Sequence, residues 1–211
     1  MPTDGARPTV RLFEFADVWL GTPSARGSAP GSRHRAVRLA DLAAGLPADL
    51  RLRSAELDPR RVLPKQELCA GDLLVGARGT KLNAAVVRAA HAGAYATENL
   101  IVVRLRTAAP VLPEYLALLL EHGGMAEELA GRSSNPEVGI RILSPRELGE
   151  WKVPLVPLAE QRELASVLTA TRRAIRAADE ANRARRDVLY ALAQEIVGPL
   201  ARRDSGDGDD E

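Results

Sequence analysis

The longest regular pattern of apolar and polar positions lies in the C-terminal part of the chain. From Ala159 to Val197 there is neither Pro nor Gly, and apolar residues recur at heptad spacing. Pro154 and Pro157 precede this stretch and cannot lie inside a helix, and Gly198–Pro199 is a helix stop signal. The pattern therefore predicts one long helix. The two seam positions are occupied by Leu164, Leu168, Thr171, Ile175, Ala178, Asn182, Arg185, Leu189, Leu192 and Ile196.

This seam is narrow, and its middle is polar. A helix so long cannot bury a narrow stripe on one small domain, so we expect it to pair with a second helix as a coiled coil. Asn182 at a seam position would fix the register of the pair at some cost in stability. The alternative is a solvated helix that packs along one side of its own domain.

Short apolar runs separated by glycine-containing turns predict β-strands in the middle of the chain. Leu73–Val75, Ala84–Val87 and Leu100–Leu105 have this character, and Gly76–Asn83 would be a hairpin loop between the first two. Its glycines would let a ligand approach the backbone closely. An ordinary exposed hairpin tip would be polar as well, so the composition of the loop does not distinguish a ligand-binding loop from an ordinary one.

The flanking segments predict further short elements. Val10–Leu20 has the character of a strand or a short helix, and Ala36–Leu42 that of a short strand. Leu112–Gly131 predicts two helices separated at Gly123–Gly124. Gly139–Leu143 and Trp151–Val153 are predicted strands, and between them Ser144 would cap a short turn that contains Glu147 and Leu148. Together the elements indicate an α+β fold.

The polar segment Gly21–Arg35 is rich in Gly, Ser, Pro and Arg. It indicates either a flexible linker or a basic arm that becomes ordered on a polyanion. The acidic end of the chain, Arg202–Glu211, is typical of disordered sequence.

Composition excludes several classes of protein. A net charge of +1 does not require a polyanionic partner, and aromatic residues make up only 3% of the 211 residues. Cys69 is the single cysteine, and His34, His91 and His122 are scattered, so neither a disulfide framework nor a zinc site is expected. No apolar run is long enough to span a membrane, which favours a cytoplasmic protein.

No catalytic motif is present in the sequence. Asp72 and Glu98 are isolated acids, and the chain has no phosphate-binding glycine loop, no methyltransferase D/N-P-P-Y/F motif and no H-E-x-x-H motif. We therefore expect a protein that is not an enzyme and needs no cofactor.

Five segments, in this order, resemble the specificity subunit of type I restriction-modification systems. The last of them, a proline-containing lead into the long helix, is the most specific. The segments are VRLADLAAG (Val37–Gly45), LCAGDLLVGARGT (Leu68–Thr80), ATENLIVVRL (Ala96–Leu105), PEYLALLL (Pro113–Leu120) and VPLVPLAEQRELASVL (Val153–Leu168).

The resemblance implies a non-catalytic subunit of a phage-defence system that reads DNA sequence. A full subunit has two target-recognition domains and two long helices that form an antiparallel coiled coil, on which methyltransferase subunits dock. This chain has one set of the motifs. It therefore resembles a half-length form, and we expect a homodimer, joined near Ala178 and Asn182, that reads a bipartite site. The implied partners are double-stranded DNA, an adenine methyltransferase subunit and a restriction subunit.

Composition and the resemblance together divide the chain into four segments. We expect a flexible N-terminal segment at 1–35, a β-rich target-recognition domain with short helices at 36–158, a long dimerisation helix at 159–198 and a disordered acidic tail at 199–211. The alternative function is a coiled-coil assembly or adaptor protein whose recognition domain has been repurposed and reads no bases.

Three groups of polar residues are candidates for DNA contacts. Arg and Lys can bind guanine and Asn can bind adenine, whereas a basic cluster can bind phosphates. Each arginine could equally be an ordinary solvated side chain. The hairpin-loop group is Arg78, Thr80, Lys81 and Asn83; the second-loop group is Arg132, Ser133, Ser134, Asn135 and Arg141; the phosphate group is Arg51, Arg53, Arg60, Arg61 and Lys65.

Overall fold

A four-stranded antiparallel sheet forms the centre of the fold in the computed structural model, which describes residues 7–25, 31–42, 52–79, 82–122 and 141–203. The order of its strands is β2-β9-β5-β7. The strands along the chain are β1 Thr9–Arg11, β2 Ala16–Leu20, β3 Ser32–Val37, β4 Arg53–Leu57, β5 Leu73–Gly76, β6 Arg78–Gly79, β7 Ala84–Val86, β8 Tyr95–Ala96, β9 Leu100–Leu105, β10 Arg141–Ile142 and β11 Lys152–Pro154. The helices are α1 Leu39–Leu42, α2 Pro113–His122, α3 Pro145–Gly149 and α4 Leu158–Arg203.

In β5, β7 and most of β9 both faces of the central sheet are buried, which explains why these strands are continuous apolar runs. Along β9, Ile101 and Val103 pack into one core with α2 and α3, whereas Leu100 and Val102 pack into a second core. The second core is closed by residues around α1 and by Leu68. The three strands predicted from apolar runs are therefore confirmed as β5, β7 and β9, and β5 pairs antiparallel with β7 as the hairpin required.

A second sheet has the order β4-β3-β8. Strand β3 pairs antiparallel with β4 and parallel with β8. A small apolar cluster of Ala36, Ala55, Leu57 and Tyr95 lies on the buried side. The α+β fold class predicted from the sequence is confirmed.

The N-terminal residues correct one prediction. We expected a flexible segment at 1–35, but β1 pairs with β11, β2 pairs with β9, and β3 begins at Ser32. Leu12 and Ala16 are buried in the main core. For the strands of this segment the expectation of flexibility is wrong, whereas the strand or short-helix character of Val10–Leu20 is confirmed. The partners that order these strands lie far along the chain, so the local pattern did not show that the segment is fixed.

Residues 39–42 correct a second prediction, since they form the single helical turn α1 rather than the end of a strand. Asp41 explains the change of direction: its carboxylate accepts a hydrogen bond from the backbone N–H of Arg38 at 2.9 Å. A short acidic side chain that bonds the backbone three residues earlier favours a turn over an extended strand.

Helix α4 begins as predicted and ends later than predicted. It starts at Leu158, directly after Pro157, and continues through Gly198–Pro199 to Arg203. The dipeptide is therefore not the stop signal we expected, and residues 199–203 are helical rather than part of a disordered tail. Residues up to Leu168 form one compact unit with the sheets, and residues from Thr169 form a second unit. Within the described ranges, no helix combines the length and the apolar character that crossing a membrane requires.

Candidate nucleic-acid interface

The hairpin loop between β5 and β7 is closed by a backbone hydrogen bond and carries an exposed arginine. The N–H of Gly76 donates to the carbonyl oxygen of Asn83 at 2.9 Å. Arg78 is exposed, and the backbone of Arg78–Gly79 forms the two-residue strand β6. Gly79 has φ +150°, a conformation that side chains disfavour, so a glycine suits this position.

Strand β6 pairs antiparallel with β10, and this brings two of the predicted groups together. Arg78 lies opposite Ile142, and Gly79 lies opposite Arg141. Arg141 belongs to the second-loop group, so its backbone lies beside the hairpin loop although the two are far apart in sequence. The N–H of Leu143 also donates to the carbonyl oxygen of Ala77 at 2.8 Å, which fixes β10 against the start of the loop.

The segment Ala96–Asn99 is hydrogen-bonded to the start of the hairpin loop. The N–H of Ala77 donates to the carbonyl oxygen of Asn99 at 2.9 Å, and the N–H of Thr22 donates to that of Ala96 at 2.8 Å. Glu98, an isolated acid in the sequence, accepts hydrogen bonds from both the N–H and the hydroxyl of Ser24. This segment is the beginning of the motif Ala96–Leu105. It starts in β8 and is hydrogen-bonded both to the residues that follow β2 and to the hairpin loop.

Of the five predicted phosphate-binding residues, four are described: one arginine is paired with a carboxylate and three cations are exposed. Arg53 donates through Nε to Asp41 at 3.3 Å, and the Asp41 side chain is only 3% exposed. Arg53 is therefore partly committed to holding α1. Arg60, Arg61 and Lys65 are exposed on the connection that leads from β4 towards β5.

Several predicted contacts lie outside the described residues. Asn83 is described and half-buried, whereas Arg141 is described only in its backbone. The predicted contacts outside the described residues are Arg51, Thr80, Lys81, Arg132, Ser133, Ser134 and Asn135, and they stay predictions.

The seam of α4 is exposed in the single chain wherever its side chains are described. Leu164 is 38% exposed, Ile175 58%, Leu189 65% and Leu192 49%. Three apolar residues outside the seam are exposed to a similar degree: Val167 at 65%, Val188 at 59% and Tyr190 at 71%. The polar or small seam residues Thr171, Ala178, Asn182 and Arg185 are exposed as well, and the side chains of Leu168 and Ile196 are outside the described set.

Gln161 is a structural residue of the last motif whose role the sequence did not reveal. Its side chain is fully buried and makes three hydrogen bonds to backbone groups. Its oxygen accepts from the N–H of Leu112, and its nitrogen donates to the carbonyl oxygens of Pro110 and Val156. The first turn of α4 is thereby joined to the segment that precedes α2.

Tyr115 of the P-x-Y-L motif has a related role. It is buried, and its hydroxyl donates to the carbonyl oxygen of Pro154 at 3.0 Å. Burial raises the pKa of its phenol above the ordinary value, so the hydroxyl keeps its proton and remains a donor. Two of the motifs thus join α2 to the segment that leads into the long helix.

The described residues form a mixed α+β domain followed by one long helix, and the comparisons show which known proteins share this fold. No family model matches the chain, and no curated protein matches it by sequence. Solved structures do match. One match comes from a structural study of the complex assembly and conformational transition of a type I restriction-modification system. It aligns over 94% of this chain and 46% of its own length, with 20% identity and a TM-score of 0.63.

Two further matches are S subunits. The HsdS subunit of Thermoanaerobacter tengcongensis aligns over 86% of this chain and 41% of its own length, with 19% identity and a TM-score of 0.53. The type I S subunit of M. genitalium aligns over 94% of this chain and 50% of its own length, with 13% identity and a TM-score of 0.51. The chain has the fold of type I specificity subunits and spans about half their length. The resemblance inferred from the motifs is confirmed at the level of the fold.

Proposed function

We propose that this chain is a DNA-recognition subunit of a type I restriction-modification system, or of a related phage-defence system. The observation that carries the proposal is the fold itself, shared with S subunits over nearly the whole of this chain. In this proposal the chain does no chemistry. It binds a DNA sequence and positions an adenine methyltransferase subunit, and with it a restriction subunit, on that sequence. Such a protein works in the cytoplasm.

The hairpin loop supports direct reading of bases. Arg78 is exposed, while the backbone on both sides of it is held by the Gly76–Asn83 hydrogen bond and by the pairing with β10. A guanidinium on a fixed backbone can make the bidentate contact that distinguishes guanine from the other bases in the major groove. The remaining polar residues of the two loops would supply further base contacts, and Arg60, Arg61 and Lys65 would bind phosphates.

The exposed seam of α4 supports pairing of two chains. Antiparallel pairing about Ala178 and Asn182 would cover the apolar residues at both ends of the seam and place the polar residues of the two chains together. A pair related by a two-fold axis presents the same reading surface twice, so its DNA site is an inverted repeat with a fixed gap.

Selection from random DNA tests the proposal. The purified chain and its methyltransferase are incubated with a pool of random duplexes, and bound duplexes are sequenced after several rounds. We expect one gapped inverted repeat to be enriched, and no enrichment with the methyltransferase alone. A pool that stays random in the presence of both proteins would exclude DNA reading and leave the assembly or adaptor function.

A further inference from the structure

The outward side of strand β3 carries arginines that are not among the three groups of predicted DNA contacts. Exposure alternates along the strand, so that Arg33 and Arg35 are exposed, and Arg38 is exposed directly after the strand ends. Ser54 lies opposite Arg35 on β4, and Glu56 lies opposite Arg33. The composition of Gly21–Arg35 predicts either a flexible linker or a basic arm that becomes ordered on a polyanion, and its residues from Ser32 onwards are strand β3.

Hydrogen bonds to backbone carbonyls hold two of these arginines in place. The Nη2 of Arg35 donates to the carbonyl oxygen of Ala90 at 3.0 Å, and the Nη2 of Arg38 donates to that of Ser54 at 3.3 Å. Ser54 belongs to β4, whereas Ala90 belongs to a 3-10 turn at Ala89–His91. Arg88, the residue that caps this turn, is exposed too.

A carbonyl acceptor orients a guanidinium without neutralising it. Elsewhere in the fold, arginines are matched by carboxylates: Arg53 by Asp41 and Arg106 by Asp17. Among the residues that the structure describes, neither Arg35 nor Arg38 forms such an ion pair. A guanidinium has five N–H donors, and one carbonyl uses only one or two of them. Both groups therefore retain full charge and free donors in a fixed position, which is what a phosphate requires.

Arg38 lies close to the start of the hairpin loop. Leu39 follows Arg38 directly, and its Cδ1 lies 2.9 Å from where a Cβ on Gly76 would be. The side chain of Leu39 thus packs on the glycine at which the hairpin loop begins. A phosphate bound at Arg38 would be close to bases read by Arg78.

We propose that Arg35 and Arg38, here called the β3 arginine surface, bind the DNA phosphate backbone beside the base-reading loop. This inference rests on the proposed function. Phosphate contacts carry no sequence information but set the position of the protein on the duplex, so the β3 arginine surface would fix the register in which the hairpin loop meets the bases.

Salt dependence of binding to a short random-sequence duplex tests the inference. For the full-length chain we measure the slope of log affinity against log salt for the wild type, for Arg35→Gln/Arg38→Gln and for Arg11→Gln. The control Arg11→Gln removes one positive charge from strand β1, where the guanidinium is paired with Glu14 and Glu150. Each lost phosphate contact lowers the magnitude of the slope by about 0.9, so the double variant should lose nearly twice that and the control almost nothing.

A conservative variant separates loss of contact from loss of structure. Arg35→Lys/Arg38→Lys retains both charges and should keep most of the wild-type slope, even though the carbonyl hydrogen bonds change. If the wild type binds and the Gln variant keeps its slope, the inference is wrong and the proposed function stands. If the Gln variant no longer binds the methyltransferase but keeps the wild-type salt dependence of DNA binding, the surface serves a protein partner and the inference is wrong as well. A wild type that binds no duplex at any salt concentration contradicts the proposed function itself.

Discussion

The guanidinium of Arg104 donates to both carboxylate oxygens of Asp72, through Nε at 2.8 Å and through Nη2 at 2.7 Å. Asp72 precedes β5 and its side chain is 2% exposed, whereas Arg104 lies near the end of β9 and is 29% exposed. Arg104 also donates to the carbonyl oxygens of Lys65 and Glu67 and lies 5.1 Å from the ring centroid of Trp19. The hydrogen bond to Asp72 raises the pKa of Arg104 above its ordinary value, so the guanidinium stays charged. This pair fixes the segment that leads into the hairpin strand.

Asp72→Asn should lower the free energy of unfolding by about 2–3 kcal/mol, because it leaves a half-buried guanidinium without its counter-charge. The matched control is Asp17→Asn. Asp17 accepts two hydrogen bonds from Arg106, but the two side chains are 60% and 49% exposed, so we expect a loss below about 1 kcal/mol. Urea unfolding followed by circular dichroism measures both. Equal losses in the two variants would show that burial does not determine how much the Arg104–Asp72 pair contributes to the free energy of unfolding.

Gln161→Leu should cost about 2–3 kcal/mol, since the change keeps the size of the side chain but leaves the N–H of Leu112 and the carbonyl of Pro110 without their partner. Gln194→Leu is the same substitution at an exposed position of the same helix, outside the seam. It should alter stability by no more than about 0.5 kcal/mol. Thermal unfolding of the two variants, compared with the wild type, tests the structural role of Gln161. A Gln161 variant as stable as the Gln194 variant would contradict that role.

Asn182→Leu should strengthen association of the long helices and allow more than one register or oligomeric state, because a polar seam residue gives specificity at the expense of stability. Sedimentation velocity over a range of concentrations shows the number of species. Gln194→Leu again serves as the control, since it adds an apolar residue outside the seam and should leave the distribution as in the wild type. A single unchanged dimer for Asn182→Leu would speak against the seam that we assign.

Arg78→Ala should relax the base preference at one position of the selected site, and cost about 1–3 kcal/mol on that site. Arg61→Ala, which removes a proposed phosphate contact, should weaken binding by a similar factor on every sequence. Affinities measured on the selected duplex and on its single-base variants separate the two effects. If Arg78→Ala lowers all affinities equally, the loop binds phosphate and bases are read elsewhere.

Local features of the fold could be predicted from the sequence because their partners are close along the chain. Ser144 and Glu147 are three positions apart and form a capping box at the start of α3, in which Ser144 Oγ accepts from the N–H of Glu147 and the Glu147 carboxylate accepts from the N–H of Ser144. The hairpin β5–β7 and the start of α4 after Pro157 are local in the same sense. Periodicity, turn residues and caps suffice for such elements.

Features that depend on distant partners could not be predicted in this way. Asp72 stood out in the sequence only as an isolated acid, because Arg104 is 32 positions away. The strands β1 and β2 pair with β11 and β9, and the pairing of β6 with β10 joins two loops that the sequence treats as separate. For the candidate site, the placement of Arg78 in an exposed loop followed from the pattern, and the pairing of the α4 seam stays a prediction. The β3 arginine surface did not, because the carbonyls that hold its side chains belong to other elements.

The mass of the complex between this chain and its selected duplex, in the presence of the methyltransferase, tests the central claim most directly. Light scattering after gel filtration gives the number of chains on each duplex. We predict two copies of the chain on one gapped inverted repeat, and loss of the complex when either half of the repeat is scrambled. One copy per duplex, with undiminished affinity for a single half of the repeat, would contradict the account.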